Sequence, residues 1–100
     1  MVIVAGTIKV NPNQRADFLA STVELVAATL AEHGCQAYTF SADPINEDNV
    51  NLFEVWEDND ALDTHLASTH LVTWYEQNGN TIEEKDTKRY QVSSVGPVRN

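Results

Sequence analysis

The run VIVAGTIKVNP at residues 2–12 decides how the chain begins to fold. Its first nine residues, Val2–Val10, are rich in β-branched side chains, which favour extended backbone and predict a strand. Asn11 and Pro12 then form a helix-start signal, because Asn suits the N-cap and Pro suits the first helical position. The chain is therefore predicted to open with a strand that passes directly into a helix.

This first helix is predicted to run from Pro12 to His33. Its apolar residues follow the spacing of an amphipathic helix, with most polar residues off the stripe. Gly34 follows at the position where a glycine in a left-handed conformation ends many helices. The predicted inward stripe consists of Leu19, Val23, Val26, Ala27 and Leu30.

Two further strands are predicted over Cys35–Ala42 and Val50–Glu57, with the acidic loop Asp43–Asn49 between them. Both segments contain the β-branched and aromatic residues that are typical of strands.

The second helical region follows Asp58, one of several candidate N-caps, and Ser68 is placed to cap a second stretch. We therefore expect this helix to break near Ser68. It ends at residues 78–80, and the last strand is predicted over Lys88–Val95, before Gly96 and Pro97 stop it.

The predicted order is strand–helix–strand–strand–helix–strand, which is that of the split βαβ, or ferredoxin-like, arrangement. We expect one α+β domain over residues 1–100, with a four-stranded antiparallel sheet and both helices on one face. Apolar residues occupy both faces of the predicted strands, since Ile3 and Ala5 point away from Val2 and Val4. An open apolar face suggests that a second copy packs on it, so a homodimer is expected.

Composition excludes several classes of partner. The 100 residues include 15 acidic residues against 6 Lys and Arg, a formal charge of −9. Nucleic acids and anionic membranes bind clustered Lys and Arg, so we expect neither as a partner. Cys35 is the only cysteine, which excludes an internal disulfide and a multi-cysteine metal cage. The N-terminal run predicts neither a leader nor a membrane span, so a cytoplasmic protein is expected.

Common catalytic motifs are missing from the sequence. The four glycines lie far apart, so there is no dinucleotide or phosphate loop, and no serine stands in G-x-S-x-G. His65 and His70 are separated by the predicted helix break, whereas a metal-binding pair on one helix usually has a spacing of three or four residues. We therefore expect no cofactor and no metal.

His65 is the strongest candidate for chemistry, because Leu62 and Leu66 place it on the predicted inward face of its helix. A single histidine among leucines is more often a hydrogen-bonded core residue, and that alternative stays open. The other residues predicted to border the same space are Trp56, His70, Trp74 and Tyr75.

An aromatic-lined pocket with one imidazole suits a planar, ionisable ligand such as a phenol or a quinol. We expect His65 and His70 to be the catalytic residues, with His65 as the base. His70 would donate to the substrate anion, or alternatively would only cap a turn of the helix. Trp56, Trp74 and Tyr75 are expected to contact the substrate. The alternative is an ordinary core that is rich in aromatic residues.

The run LFEVWED at residues 52–58, continued by His65 and by the S-x-H-L pattern at residues 68–71, resembles a family signature. It is similar to the E-x-W-x-D, A-L-x-x-H and S-x-H elements of the antibiotic biosynthesis monooxygenase domain. The resemblance extends over the whole chain and includes the turn at residues 32–35. It implies a dimeric, ferredoxin-like α+β barrel and, in some members, cofactor-independent oxygenation of phenols or quinols.

Two other groups of relatives imply different activities. Haem-degrading relatives carry Asn near Gly6, Trp at the position of His65 and the iron-binding His at the position of Tyr75. This sequence differs from them at all three positions, which argues against haem as a ligand. Relatives that process phosphorylated sugar-like signals need a phosphate site, and this sequence has no clear basic cluster for one.

The sequence therefore predicts a homodimeric monooxygenase whose partners are a small aromatic substrate and dioxygen. Its leucine neighbours are expected to desolvate His65 and keep the ring neutral, as a base requires. The alternative is a non-catalytic dimer that binds an aromatic metabolite, because binding and catalysis need nearly the same residues.

Overall fold

The computed structural model describes residues 1–99, which form four strands and three α-helices. In chain order these are β1 (Val2–Val10), α1 (Arg15–Leu30), β2 (Cys35–Ala42), β3 (Asn49–Trp56), α2 (Asn59–Leu66), α3 (Thr69–Asn78) and β4 (Ile82–Gln91). Short 3₁₀ turns precede α1 and β4. None of the helices within this range combines the length and the apolar character needed to cross a membrane.

The strands form one antiparallel sheet in the order β2-β3-β1-β4. β1 is paired on both sides, so that Val2 lies between Trp56 of β3 and Gln91 of β4. Central strands are buried, which explains why the most apolar strand of the sequence occupies this place. Val2 and Ile8 are buried on the helix-covered face. The predicted ferredoxin-like α+β fold is confirmed.

Several predicted elements have their expected bounds. β1 and β2 span the predicted residues, and the break near Ser68 is confirmed, because α2 ends and α3 begins on either side of it. Asp58 caps α2, since its carboxylate accepts a 2.8 Å hydrogen bond from the backbone N–H of Ala61.

The predicted last strand over Lys88–Val95 is wrong, because β4 begins at Ile82 and ends at Gln91. Residues 83–88 are almost all charged, which hid the strand pattern. They form a strand because β4 is an edge strand, largely exposed, and its backbone completes the hydrogen-bond ladder of β1. α1 also ends earlier than predicted, at Leu30.

The inward face of α1 differs from the predicted stripe. Val23 is 66% exposed and Leu30 is 49% exposed, so the prediction that they lie inward is wrong. Phe18 decides the rotation of the helix, because its ring packs edge-on against Phe40 and Trp74, with centroids 6.4 and 5.6 Å away. The buried residues of α1 are Phe18, Thr22, Leu25 and Thr29.

The face of the sheet away from the helices carries apolar residues at one end. Ile3 lies opposite Val55 on one side and Tyr90 on the other, and Ala5 lies opposite Phe53. Phe53 is 43% exposed and Tyr90 is 49% exposed. We call these five residues the open sheet face. Its presence agrees with the expectation of apolar side chains on both faces of the strands.

Thr29 provides a test of the helix packing. It is fully buried, and its Oγ1 has no hydrogen-bond partner among residues 1–99. A buried hydroxyl without a partner destabilises the folded state by about 1–3 kcal/mol. We expect Thr29→Val, which replaces the hydroxyl by a methyl of similar size, to raise the free energy of unfolding in urea by about 1 kcal/mol.

Thr22→Val is the matched control on the same face. The Thr22 hydroxyl donates a 2.7 Å hydrogen bond to the Leu19 carbonyl, so this substitution removes a satisfied group and is expected to give no gain. An equal change in the two variants would contradict the interpretation.

Candidate active site

The Glu32 carboxylate joins two histidines beneath the helical layer. Its Oε2 lies 2.6 Å from Nδ1 of His65 and 2.9 Å from Nε2 of His70. An ionised carboxylate only accepts hydrogen bonds, so both rings donate an N–H to it. The side chain of His65 is 2% exposed, that of Glu32 15% and that of His70 33%. We call these residues the Glu32–His65–His70 cluster.

The turn after α1 places Glu32 in this cluster. Gly34, near the end of that turn, has a φ of +82°, in the left-handed region that favours glycine. A Cβ at Gly34 would lie 2.7 Å from the Cβ of Ala61, so a larger residue would push the turn away from α2. The glycine therefore allows Glu32 to lie against the helix that carries His65.

The break at Ser68 places the two histidines. His65 belongs to the last turn of α2, and His70 belongs to the first turn of α3. Because they lie on different helices, the single-helix spacing rule does not apply to them, and the change of direction at Ser68 lets both rings reach one carboxylate. The prediction that His65 and His70 border one space is confirmed, since both rings contact Glu32.

The protonation of His65 follows from these contacts. Nδ1 donates to Glu32, so the neutral ring has its lone pair on Nε2, which is the atom able to accept a proton. Burial lowers the pKa of His65 below its ordinary value of 6.5, although the neighbouring Glu32 carboxylate opposes this shift. The ring is therefore a neutral base near pH 7, held by a carboxylate as in other acid–imidazole pairs.

Aromatic rings surround His65. The Trp56 ring lies at a centroid distance of 4.8 Å and an angle of 32°, and the Tyr38 ring lies edge-on at 5.1 Å. Both residues are buried, so they fix the orientation of the imidazole and keep water from it. The pKa of Tyr38 lies far above its ordinary value because burial, and then the charge of Glu54, disfavour the phenolate.

Glu54 is a second buried carboxyl group. It is 5% exposed on the helix-facing side of β3, and its Oε1 accepts a 2.8 Å hydrogen bond from Nε1 of Trp56. Burial raises the pKa of Glu54, against the opposing effects of this hydrogen bond and of the Lys85 charge. Trp56 thus contacts both the imidazole of His65 and the Glu54 carboxyl group.

An open cleft of about 490 Å³ lies on the same side of the sheet, and none of the three cluster residues is part of its lining. Leu66 belongs to its wall and directly follows His65 in the chain. Most of the wall is apolar, and a volume of this order is typical of small-molecule sites. The lining residues are Leu66, Leu71, Val72, Tyr75, Glu76 and Lys85.

The residues predicted to share one pocket are divided between two spaces. Tyr75 lines the cleft, whereas His70 and Trp74 line a separate groove of about 870 Å³ between α1 and α3. Trp74 is buried, and its Nε1 donates a 3.1 Å hydrogen bond to the Ser21 carbonyl, so it packs one helix against another. The prediction that Leu66 faces inward is wrong, because it is 53% exposed at the cleft wall.

Sequence reasoning did not identify Glu32, Glu54 or Lys85 as functional residues. The two-residue period of β3 contained a signal for Glu54, because Leu52 and Trp56 share its face. Lys85 was missed because β4 was predicted to begin after it. The turn at residues 32–35 was noted only as part of the family resemblance, and the contact of Glu32 with His65 forms through the tertiary fold.

The cluster also has the chemistry of a metal site. Glu32, His65 and His70 offer ligand atoms within 4.8 Å of one another, a donor set that zinc and non-haem iron sites use. In this structure the same atoms hydrogen-bond directly to one another. Cys35 is not part of the set, and burial raises the pKa of its thiol to about 11, which keeps it protonated and unreactive.

Comparison with known proteins places these features in a family. The family model for antibiotic biosynthesis monooxygenase matches residues 1–77. The "Uncharacterized protein sll1783" of Synechocystis sp. is 28% identical over 95 residues, which are 94% of this chain and 65% of that protein, so the chain spans less than two thirds of this relative. "Putative monooxygenase YcnE" of Bacillus subtilis is 30% identical over 71 residues, 71% of this chain and 75% of that protein.

The fold is shared with solved structures as well. The crystal structure of a "putative antibiotic biosynthesis monooxygenase" from Deinococcus radiodurans superposes with a TM-score of 0.89 over 100% of both chains, at 23% identity. Fold and site together define a ferredoxin-like α+β protein with a buried carboxylate–histidine pair and a largely apolar cleft. The chain belongs to the antibiotic biosynthesis monooxygenase family, as the signature at residues 52–71 suggested.

The protonation of His65 can be measured directly. Since burial lowers its folded-state pKa below 6.5, the neutral ring stabilises the fold above pH 6.5, and this contribution is lost as the pH falls through the folded-state pKa. We expect NMR titration of the ring carbons to give a His65 midpoint below 6.5. Glu32→Gln is expected to lower that midpoint further, because the carboxylate is the group that favours the imidazolium. A midpoint at or above 6.5 would contradict this assignment.

Proposed function

We propose that this protein is a homodimeric monooxygenase that oxidises a quinol or phenol with dioxygen and without a bound cofactor. The observation that carries the proposal is the buried Glu32–His65 pair, which packs against Trp56. Membership of the antibiotic biosynthesis monooxygenase family supports the reaction class. The quinol or phenol class rests on the chemistry of the site.

The first step is removal of a proton from the substrate hydroxyl by Nε2 of His65. Glu32 holds the ring in the tautomer that leaves Nε2 free, and it stabilises the imidazolium that forms. Because His65 is buried and neutral at rest, it is ready to accept this proton near pH 7.

The second step is reaction of the resulting anion with dioxygen. The electron-rich anion passes one electron to dioxygen, and the two radicals combine to form a carbon–oxygen bond and a peroxide. Loss of water from the peroxide leaves a carbonyl at that ring carbon. The aromatic substrate supplies all four electrons that reduce dioxygen, so one oxygen atom enters the ring, the other leaves as water, and no external reductant is needed.

The dimer is proposed to form through the open sheet face. A single copy leaves Phe53 and Tyr90 about half exposed beside Ile3 and Val55, on a sheet whose opposite face is already covered by helices. Contiguous apolar surface of this kind marks an interface. Packing two such faces together would remove these side chains from water.

Phe53→Glu tests this interface. Wild-type protein at micromolar concentration is expected to have twice the 11.1 kDa mass of one chain in light scattering. Phe53→Glu places a charge on the open sheet face and is expected to give the single-chain mass, because burying an unpaired charge is costly. Val23→Glu, a change at an equally apolar but helical surface site, should leave the mass unchanged. A single-chain mass for the wild type would refute the interface.

His65→Ala tests the chemistry. We expect oxygen uptake with a panel of benzo- and naphthohydroquinones, and a loss of about 10²–10⁴-fold in turnover in the variant, since general-base catalysis contributes about that factor. Incorporation of labelled oxygen from dioxygen into the product distinguishes oxygenation from oxidation that yields hydrogen peroxide.

Two further variants keep this test interpretable. Glu32→Gln retains the shape of the cluster but removes its charge, so we expect a smaller loss of turnover in a folded protein. His33→Ala changes an exposed histidine that pairs with Glu57, and should retain full turnover. Binding of hydroquinones without any oxygen uptake would replace the monooxygenase by a binding protein, and full turnover in His65→Ala would place the base elsewhere.

A further inference from the structure

We propose that Lys85 and Tyr75 form an anion-binding subsite in the cleft, specific for a single negatively charged oxygen on an aromatic ring. This inference deepens the proposed function, since the ionised substrate is such an anion. It depends on a pair of groups that the proposed proton transfer at His65 does not use.

Lys85 has an unusual environment for a cation in this acidic chain. The other two lysines each lie within 4.0 Å of a carboxylate, Lys9 beside Asp48 and Lys88 beside Asp86. Among residues 1–99, no carboxylate lies within that distance of Lys85. Of the three lysines, Lys85 is therefore the one whose ammonium group remains available to a ligand.

The strand register directs Lys85 toward the helices. It lies opposite Ile8, a buried residue of the helix-covered face, whereas Lys88 lies opposite Ala5 on the open face. Its side chain then reaches the cleft that Leu66 and Leu71 line. Lys85 is an exposed residue, so its positive charge lies at the solvent-facing edge of a largely apolar wall.

Tyr75 completes the subsite. The Lys85 ammonium donates a hydrogen bond to the Tyr75 hydroxyl oxygen and lies 5.0 Å from the centroid of its ring. An ammonium group only donates, so the Tyr75 O–H remains free to donate to a ligand. Two donors and one positive charge at one place match an anionic oxygen better than a neutral hydroxyl, because charge-assisted hydrogen bonds are stronger.

The cleft also limits the charge of its ligand. Glu76 belongs to the same lining, where Lys85 is the one cation, and the charge of Lys85 also acts on the buried Glu54 carboxyl group. This balance suits a monoanion such as a phenolate, and it disfavours a phosphate dianion. The apolar remainder of the wall fits an aromatic body rather than a sugar.

The probe for this subsite is 4-nitrophenol, because only its anion absorbs strongly in the visible range. We expect the wild type to bind the anion about tenfold more tightly than the neutral phenol, which corresponds to a downward shift of the pKa of the bound probe by about one unit. Titrations on either side of the probe's pKa give both dissociation constants without any turnover.

Lys85→Met removes the charge and keeps the apolar stem, so it is expected to abolish the preference for the anion and to leave neutral binding unchanged. Lys85→Arg is expected to retain the preference. Lys9→Met, which removes an equal charge outside the cleft, should behave as the wild type. Equal anion affinity in wild type and Lys85→Met, or no binding of the probe, would overturn the subsite. If Lys85→Met bound neither the anion nor the neutral phenol, the subsite would also be overturned, because a nonspecific apolar contact would then explain the binding.

The outcomes separate this inference from the proposed function. An anion preference that depends on Lys85, with no oxygen uptake from any hydroquinone, supports the subsite and refutes the monooxygenase. Oxygen uptake with unchanged anion binding in Lys85→Met supports the monooxygenase and refutes the subsite.

Discussion

The hydrogen bonds to Glu32 Oε2 hold together parts of the chain that are distant in sequence. One oxygen atom accepts from His65 at the end of α2 and from His70 at the start of α3, while Glu32 itself belongs to the turn after α1. A carboxylate that is largely removed from water is tolerated only when donors surround it. The three helices are thus tied to one point, and that point also fixes the tautomer of the buried imidazole.

Burial acts on the two ionisable groups near Trp56 in opposite directions. It lowers the pKa of His65 and raises that of Glu54, and in both cases it favours the neutral form. The low-polarity layer between the helices and the sheet therefore favours the uncharged form of both its acid and its base. Lys85 lies at the edge of this layer and is exposed to solvent.

The two faces of the sheet explain why so small a chain contains a site. Helices cover one face, and the cleft lies between them and β4, so the site takes volume from the only core that residues 1–99 form. The other face retains apolar side chains, among them the partly exposed Phe53. A domain of this size buries little surface by itself. Packing against a second copy would bury additional apolar surface and so compensate for the core volume that the cleft occupies.

The sequence by itself determined the fold class and much of the element order. The β-branched run Val2–Val10 predicted the first strand, and the capping residues Asp58 and Ser68 marked both ends of α2. These features are local, so the secondary-structure propensities of the residues and their spacing along the chain were sufficient to predict them. The position of His65 in the core was likewise set by the period of its helix.

Only the tertiary structure decided the rotation of α1, the span of β4 and the composition of the site. α1 carries two neighbouring stripes of small and apolar residues, and the one that contains Phe18 is buried because the rings of Phe40 and Trp74 receive it. The charged strand β4 forms because β1 offers it a free edge. Glu32 meets His65, 33 positions away, through two turns whose geometry no local pattern encodes.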